Sequence, residues 1–330
     1  MRVLVTGGAG FIGSHYVRTL LSGGYPAWAD AAVTVLDGLT YAGMRANLDP
    51  IAGHPLLTFV EGDIADDSLL AELLPGHDVV VNFAAETHVD RSIDAPRPFV
   101  HSNLVGLQAL LHACVATEVR TVLQVSTDEV YGPVATGSYT EDAPLAPTSP
   151  YAASKAGGDL LALAYRRTYG LDVRVTRGVN TYGPHQFPEK LVPLFVTRLL
   201  DGQPVPLYGD GLQVRDWLHV DDHCRAVQLV LERGEPGGVY NVGAGCELTN
   251  RELTGRLLAA CGAGEHLVRQ VADRPGHDRR YSLDWSKIAG LGYAPAVGLD
   301  EGLAATVAWY AEHREWWKPL VHSPSSIRHG

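Results

Sequence analysis

Short apolar, β-branched runs recur along the chain at Val3–Val5, Val33–Leu36, Leu57–Val60, Val79–Phe83, Thr121–Val125 and Val173–Thr176. They are apolar throughout rather than alternating, the pattern of strands covered on both faces. Between them lie stretches with apolar residues at helical spacing, for instance Ser68–Leu74, Asn103–Thr117 and Tyr151–Tyr169. Strand and helix alternating at this spacing predict an α/β fold, a Rossmann-type doubly wound parallel sheet with helices on both faces. Two of the helices carry apolar residues at Leu104, Leu107, Leu110 and Leu111 and at Leu160, Leu161, Leu163 and Ala164, more than one face alone requires. Packing across a homodimer interface accounts for them, and burial inside one chain does so almost as well. After about Gly178 the texture changes to short pieces punctuated by proline and glycine, such as Tyr182–Pro188 and Gly202–Pro206. This predicts a main domain over 1–178 with a returning segment near 214–241, a smaller C-terminal substrate-binding lobe mainly over 179–320, and a flexible tail at 321–330.

The first strand stops on Gly7, Gly10 and Gly13, and the helix-like run Phe11, Ile12, His15, Tyr16, Leu20 follows at once. A strand, a tight glycine turn and a helix N-terminus form a cradle for a pyrophosphate, which the free N–H groups of the first helical turn face. The second strand, Ala32–Asp37, ends in a carboxylate. Asp37 there can accept hydrogen bonds from both adenosine ribose hydroxyls and repels a 2′-phosphate, which favours NAD over NADP. Gly13 to Asp37 is somewhat longer than the usual spacing of about 20 residues; the segment Ser22–Asp30 reads as an extended loop that absorbs the excess.

Composition narrows the class further. At 330 residues, 46% hydrophobic and 19% charged, the chain suits an α/β enzyme with a large core. No charged leader or apolar run long enough to cross a bilayer is read from it, and its four cysteines show no paired spacing, so a cytoplasmic setting without a membrane partner is expected. A net charge of −11 argues against nucleic acid as partner. An anionic ligand must therefore be held by a few local cations.

The strand Thr121–Val125 runs into Ser126-Thr-Asp-Glu-Val-Tyr-Gly132. Residues at the carboxyl ends of strands in a doubly wound sheet face the ligand crevice, so Thr127, Asp128 and Glu129 stand where chemistry occurs. Downstream, Ser149-Pro-Tyr-Ala-Ala-Ser-Lys155 opens a helix with Pro150 at a permitted early position. Tyr151 and Lys155 are four apart and share a helical face; an ammonium beside a phenol favours the phenolate, a usable base.

These pieces, together with Thr6–Gly13, Leu39–Gly43, Phe83–Ser92, Pro188–Leu191 and Asp273–His277, span nearly the whole chain. They resemble the extended short-chain dehydrogenases/reductases that act on nucleotide sugars, and within them the dTDP-glucose 4,6-dehydratase family. The Thr127-Asp128-Glu129 triplet is the specific part, since the glycines and the Tyr/Lys pair are shared with epimerases and decarboxylases. The resemblance implies a lyase that turns dTDP-glucose into its 4-keto-6-deoxy product with NAD retained. It implies that Tyr151, aided by Thr127 and Lys155, takes the proton from the sugar O4, that Glu129 is the base at C5 and that Asp128 protonates the departing C6 hydroxyl. NAD contacts are implied for Gly7, Gly10, Phe11, Ile12, Gly13, Asp37, Leu39, Thr40, Asp63, Ile64, Phe83, Ala84, Ala85 and Asn103, besides Tyr151 and Lys155. Nucleotide-sugar contacts are implied for Thr87, Asn180, Glu189, Lys190, Leu191, Pro206, Tyr208, Arg215, Asn250, Arg274, His277 and Tyr281. The chain departs from the family's usual form at Gly178, Val179 and Thr181, where Cys and a second Asn are usual, and at Met44, where Asn is usual. The first group leaves the sugar open. Another nucleotide-sugar enzyme of the same superfamily, and a non-catalytic NAD-binding protein on the same fold, are the rival assignments.

Overall fold

The computed structural model describes residues 1–274 and 276–321. Of the expected tail, Val321 closes the helix Arg314–Val321 and the rest lies outside the described residues. The six apolar runs become β1 (Arg2–Thr6), β2 (Ala32–Asp37), β3 (Leu57–Glu61), β4 (Val79–Asn82), β5 (Thr121–Thr127) and β6 (Asp172–Gly178). The later chain adds β7 (Asn180–Tyr182), β8 (Val205–Tyr208), β9 (Val214–His219), β10 (Val239–Val242), β11 (Glu247–Thr249) and β12 (Val268–Val271). The main sheet has seven strands in the order β10-β6-β5-β4-β1-β2-β3, every pair parallel. Strand order therefore reverses between β1 and β4, and the crevice opens at their carboxyl ends.

Alternation along each strand feeds two separate apolar layers. In β1, Val3 and Val5 join Tyr16, Val17 and Leu20 on one face, whereas Leu4 joins Leu107, Leu110 and Leu111 on the other. A third cluster, with Phe195, Trp217, Leu253, Tyr310 and Trp317, forms the core of the later chain around the small sheets β11-β9-β7 and β12-β8. Within 214–241, β9 stays in the small sheet, while the helix Val220–Arg233 covers the main sheet and β10 pairs with β6. The chain thus rejoins the main sheet one element later than the sequence suggests.

The helix expected at 103–117 begins earlier. Arg97–Val100 continues through a π-helical stretch, His101–Gly106, into Leu107–Ala116. This 20-residue unit is long and apolar enough to cross a bilayer by composition, contrary to the expectation that no such run exists. Half of it is buried, packed on the helices Asp67–Leu73 and Pro150–Tyr169, which marks a core helix of this domain.

Trp317 is fully buried in the third cluster, and its indole N–H donates to the Tyr310 carbonyl at 2.7 Å. Trp317→Ala is expected to cost about 3–5 kcal/mol, read as a lowered urea midpoint at unchanged slope.

Candidate active site

One cavity of about 690 Å³ lies along the carboxyl ends of the main-sheet strands. At one end stands the glycine turn. Gly7 has φ +66°, and a Cβ on Gly13 would stand 2.3 Å from the Gly7 carbonyl oxygen, so only glycine permits this close turn. The helix Phe11–Leu21 that follows has no capping side chain and no acidic residue in its first turn, leaving its amide dipoles for an anion. Asp37 is held at the cavity wall by two amides, Ala9 N–H at 2.8 Å and Leu39 N–H at 2.9 Å. Burial pushes its carboxyl up, and these amides pull it back. A bare turn for a pyrophosphate beside a fixed acidic acceptor fits NAD.

Asp63 and Ile64, after β3, and Phe83, Ala84 and Ala85, after β4, continue the cavity wall, with Gly10, Phe11, Ile12 and Thr40. Leu39 and Asn103 do not line it. Leu39 acts through its amide on Asp37, and Asn103 acts from behind. Asn103 sits in the π-helical stretch, exchanges two 3.0 Å hydrogen bonds with the Glu86 backbone and donates at 2.8 Å to Ser154 Oγ. The widened turn thus ties the loop after β4 to the helix that carries Tyr151 and Lys155.

Thr127, Asp128, Glu129, Tyr151 and Lys155 all line the cavity. Thr127 ends β5 and caps the short turn Asp128–Tyr131: its hydroxyl accepts from the Glu129 amide at 3.3 Å and donates to Asp128 Oδ1 at 3.1 Å. Ser149 caps the helix Pro150–Tyr169, which places Tyr151 in its first turn. Lys155 Nζ donates at 2.6 Å to the Val125 carbonyl of β5.

The two carboxyls experience different fields. Asp128 is pushed up to about 7 by burial and then by the Glu129 charge, with Arg215 opposing, and its Oδ2 makes no hydrogen bond. Burial also raises Glu129, but three cations, Arg215, Arg274 and Lys190, pull it back. Lys155 is lowered to about 8 by burial, with Asp159 opposing. Tyr151 differs from expectation: its phenol is raised, chiefly by burial and then by Glu129, with the Thr127 hydrogen bond opposing. Helical spacing sets Tyr151 and Lys155 on one face but cannot report the desolvation that dominates the phenol.

Among the implied substrate residues, Thr87, Asn180, Glu189, Lys190 and Leu191 line the cavity. Lys190 Nζ donates to the Thr87 carbonyl at 2.7 Å, and Glu189 pairs with Arg91 at 3.1 Å. Pro206, Tyr208, Arg215, Asn250, Arg274, His277 and Tyr281 lie outside that lining. Most of them form a flanking group. The Arg215 guanidinium lies 4.3 Å over the Tyr281 ring, His277 pairs with Asp273 at 2.6 Å, and Tyr208 meets His277 edge-on at 6.3 Å. The charges of Arg215 and Arg274 on Glu129 place this group at the catalytic end. Asn250 instead opens the helix Asn250–Ala260, its amide donating to the Gln213 carbonyl at 2.9 Å.

The sequence did not single out Tyr41, Glu86, Phe187, Trp217 or His223, which also line the cavity. Glu86 was within reach of the strand-end rule, since it lies four residues past the end of β4. Trp217 and His223 were not, because only tertiary folding carries β9 and the next helix to this wall. His223 also accounts for two departures. A Cβ on Gly178 would stand 2.7 Å from His223 Cε1, and Thr181 Oγ1 lies 2.7 Å from His223 Nδ1. The small residue and the hydroxyl are both fitted to that buried ring.

A doubly wound sheet, a dinucleotide cradle and a Thr/Asp/Glu–Tyr/Lys group beside local cations define an NAD-dependent short-chain enzyme of the nucleotide-sugar kind. The chain belongs to the GDP-mannose 4,6 dehydratase family, whose model matches residues 4–306. It is 59% identical over 319 residues to dTDP-glucose 4,6-dehydratase of an Actinoplanes species, covering 96% of this chain and 100% of that one. Among solved structures it resembles DesIV, the dTDP-glucose 4,6-dehydratase of Streptomyces venezuelae with NAD bound, at TM-score 0.96 and 61% identity over 97% of this chain and 100% of that one. The NAD complex of Thermus thermophilus UDP-glucose 4-epimerase is also similar, at TM-score 0.86 and 36% identity over 95% and 100% of the two chains.

Gly13→Val should abolish NAD binding while leaving the far-UV circular dichroism unchanged, because the added carbons occupy the tight turn. Calorimetric titration with NAD checks both the loss and the stoichiometry.

Proposed function

We propose that this protein converts dTDP-glucose to dTDP-4-keto-6-deoxyglucose, a step of deoxysugar biosynthesis. The observation that carries the reading is the Asp128–Glu129 pair: adjacent carboxyls in one cavity, one held near neutrality and the other surrounded by cations. Elimination of water needs one group to accept a proton and one to give a proton, and opposed environments assign those parts. The glycine turn and Asp37 would hold NAD, which when bound would supply the hydride acceptor for C4 and the hydride that C6 receives.

Tyr151 Oη takes the proton of the sugar 4-hydroxyl, with the Thr127 hydroxyl supporting the phenolate that burial disfavours and Lys155 one helical turn away on the same face. Glu129, whose charged form Arg215, Arg274 and Lys190 favour against its burial, takes the C5 proton once the 4-ketone acidifies it, and gives a proton back to C5 as hydride reaches C6. Asp128 gives its proton to the C6 hydroxyl, which leaves as water. Lys190, Arg215 and Arg274 hold the diphosphate between the main sheet and the lobe beginning near 179. Tyr208 and the neighbouring Pro206 lie toward the base.

The same proposal extends to assembly and setting. Val100, Val105 and Leu160 are exposed apolar residues on the helices Arg97–Val100 and Pro150–Tyr169 and on the π-helical stretch between them. A second copy covering this face gives a homodimer, and the four unpaired cysteines suit a cytoplasmic enzyme. Leu160→Glu should halve the mass seen by sedimentation equilibrium.

Incubation with dTDP-glucose should remove one water from the sugar nucleotide with no net NADH, read by mass spectrometry and absorbance. An unchanged mass would refute the substrate. Glu129→Gln should slow loss of deuterium from C5 by about 10²-fold or more while NAD stays bound. Asp128 acts in its protonated form, which is present below a pKa of about 7 and lost above it. The rate of elimination should therefore fall as pH rises through neutrality, and Asp128→Asn should remove that limb together with most of the rate.

A further inference from the structure

An ion pair spans the mouth of the catalytic end. Arg274 Nη1 donates to Asp90 Oδ1 at 2.8 Å, although the two residues are 184 positions apart. Asp90 stands in the helix Val89–Asp94, just after β4 of the main sheet, and Arg274 follows β12 of the later chain. Asp90 has no part in the roles assigned above.

The geometry of the guanidinium gives the pair a purpose. An arginine presents its N–H donors as a planar fork, and its Nε/Nη2 edge makes the bidentate contact with a phosphate. Asp90 occupies Nη1, on the other side of the fork. Arg274 Nε is buried and makes no hydrogen bond. One carboxylate thus fixes the plane, while the Nε–H on the other edge is left buried without a hydrogen-bond partner. The charge of Arg274 acts on Glu129, Lys190 and His277, so the guanidinium stands near the catalytic end. A long side chain held in place before binding loses less freedom when the ligand arrives.

We propose that Asp90 is a positioning residue that holds Arg274 with its Nε edge toward the diphosphate of the substrate. The inference rests on the dTDP-glucose reading for the identity of the diphosphate. It also predicts that the effect of Asp90 on dTDP binding runs through Arg274. A carboxylate that merely competed with the phosphates for Arg274 would have the opposite effect, weakening substrate binding in the native protein.

The test uses the full NAD-loaded chain and the variants Asp90→Ala, Asp90→Asn, Arg274→Ala and the Asp90→Ala/Arg274→Ala double. For Asp90→Ala, KM for dTDP-glucose should rise about tenfold with a much smaller fall in kcat. The dissociation constant of dTDP, by calorimetry, should rise in parallel, while that of thymidine stays constant. Asp90→Asn keeps an oxygen acceptor and should recover part of the loss. In the Arg274→Ala background, Asp90→Ala should change nothing further. Equal weakening of dTDP and thymidine, tighter dTDP binding, unchanged binding, or losses that add in the double variant would each overturn the proposal. If the native chain binds dTDP but does not turn over dTDP-glucose, the assigned reaction fails while the dTDP measurements still judge Asp90.

Discussion

The register of β5 in the parallel sheet is the constraint on which the site depends. It is hydrogen-bonded to β4 on one side and β6 on the other, and every residue from Thr121 to Thr127 is buried. A slip of one residue would turn its apolar side chains to the wrong layers. The point where the strand ends is therefore fixed to a residue, and Thr127, Asp128 and Glu129 emerge at the crevice and nowhere else. The Val125 carbonyl that holds Lys155 belongs to the same strand, so base, acid and ammonium share one rigid origin.

A buried polar network keeps the turn after β5 in place. Arg177 of β6 pairs with Asp159 at 2.9 Å and donates to Tyr131 Oη at 2.7 Å, and Tyr131 in turn donates to Asn241 of β10 at 2.8 Å. Two strands and a helix thus converge on the segment that carries the two carboxyls. Burying charge is costly unless partners compensate; here Arg177 and Asp159 compensate each other, although Asp159 Oδ1 is left without a partner. Above this network the chain permits itself uncompensated groups, the free Oδ2 of Asp128 and the Nε of Arg274. Those are the atoms on which the proposed chemistry and diphosphate binding draw.

Against a net charge of −11, the cations near Glu129 are a local exception. Two of them, Lys190 and Arg274, come from the later chain and bond across to Thr87 and Asp90 in the segment after β4. The two parts of the molecule are thereby linked at the place where an anionic ligand would lie. Gly178, Thr181 and His223 show the same coupling on the opposite wall, where the size of one residue suits a ring brought by a distant helix.

What the sequence determined by itself rests on local physics. Fully apolar runs specify buried strands, glycines at intervals of three specify a turn that only they can make, and the four-residue spacing of Tyr151 and Lys155 specifies a shared face. Such features depend on neighbours in the chain, so they are legible without the fold. The tertiary structure decided what depends on surroundings. It set the direction in which Tyr151 shifts, because burial is a property of the assembled site. It separated Asn250 and Leu39 from the cavity wall and added Glu86, Trp217 and His223 to it. It also extended one helix through a π-helical stretch so that Asn103 could tie the loop after β4 to the helix that carries Tyr151 and Lys155. Periodicity says which residues share a face, whereas desolvation and long-range contact arise only when that face meets another.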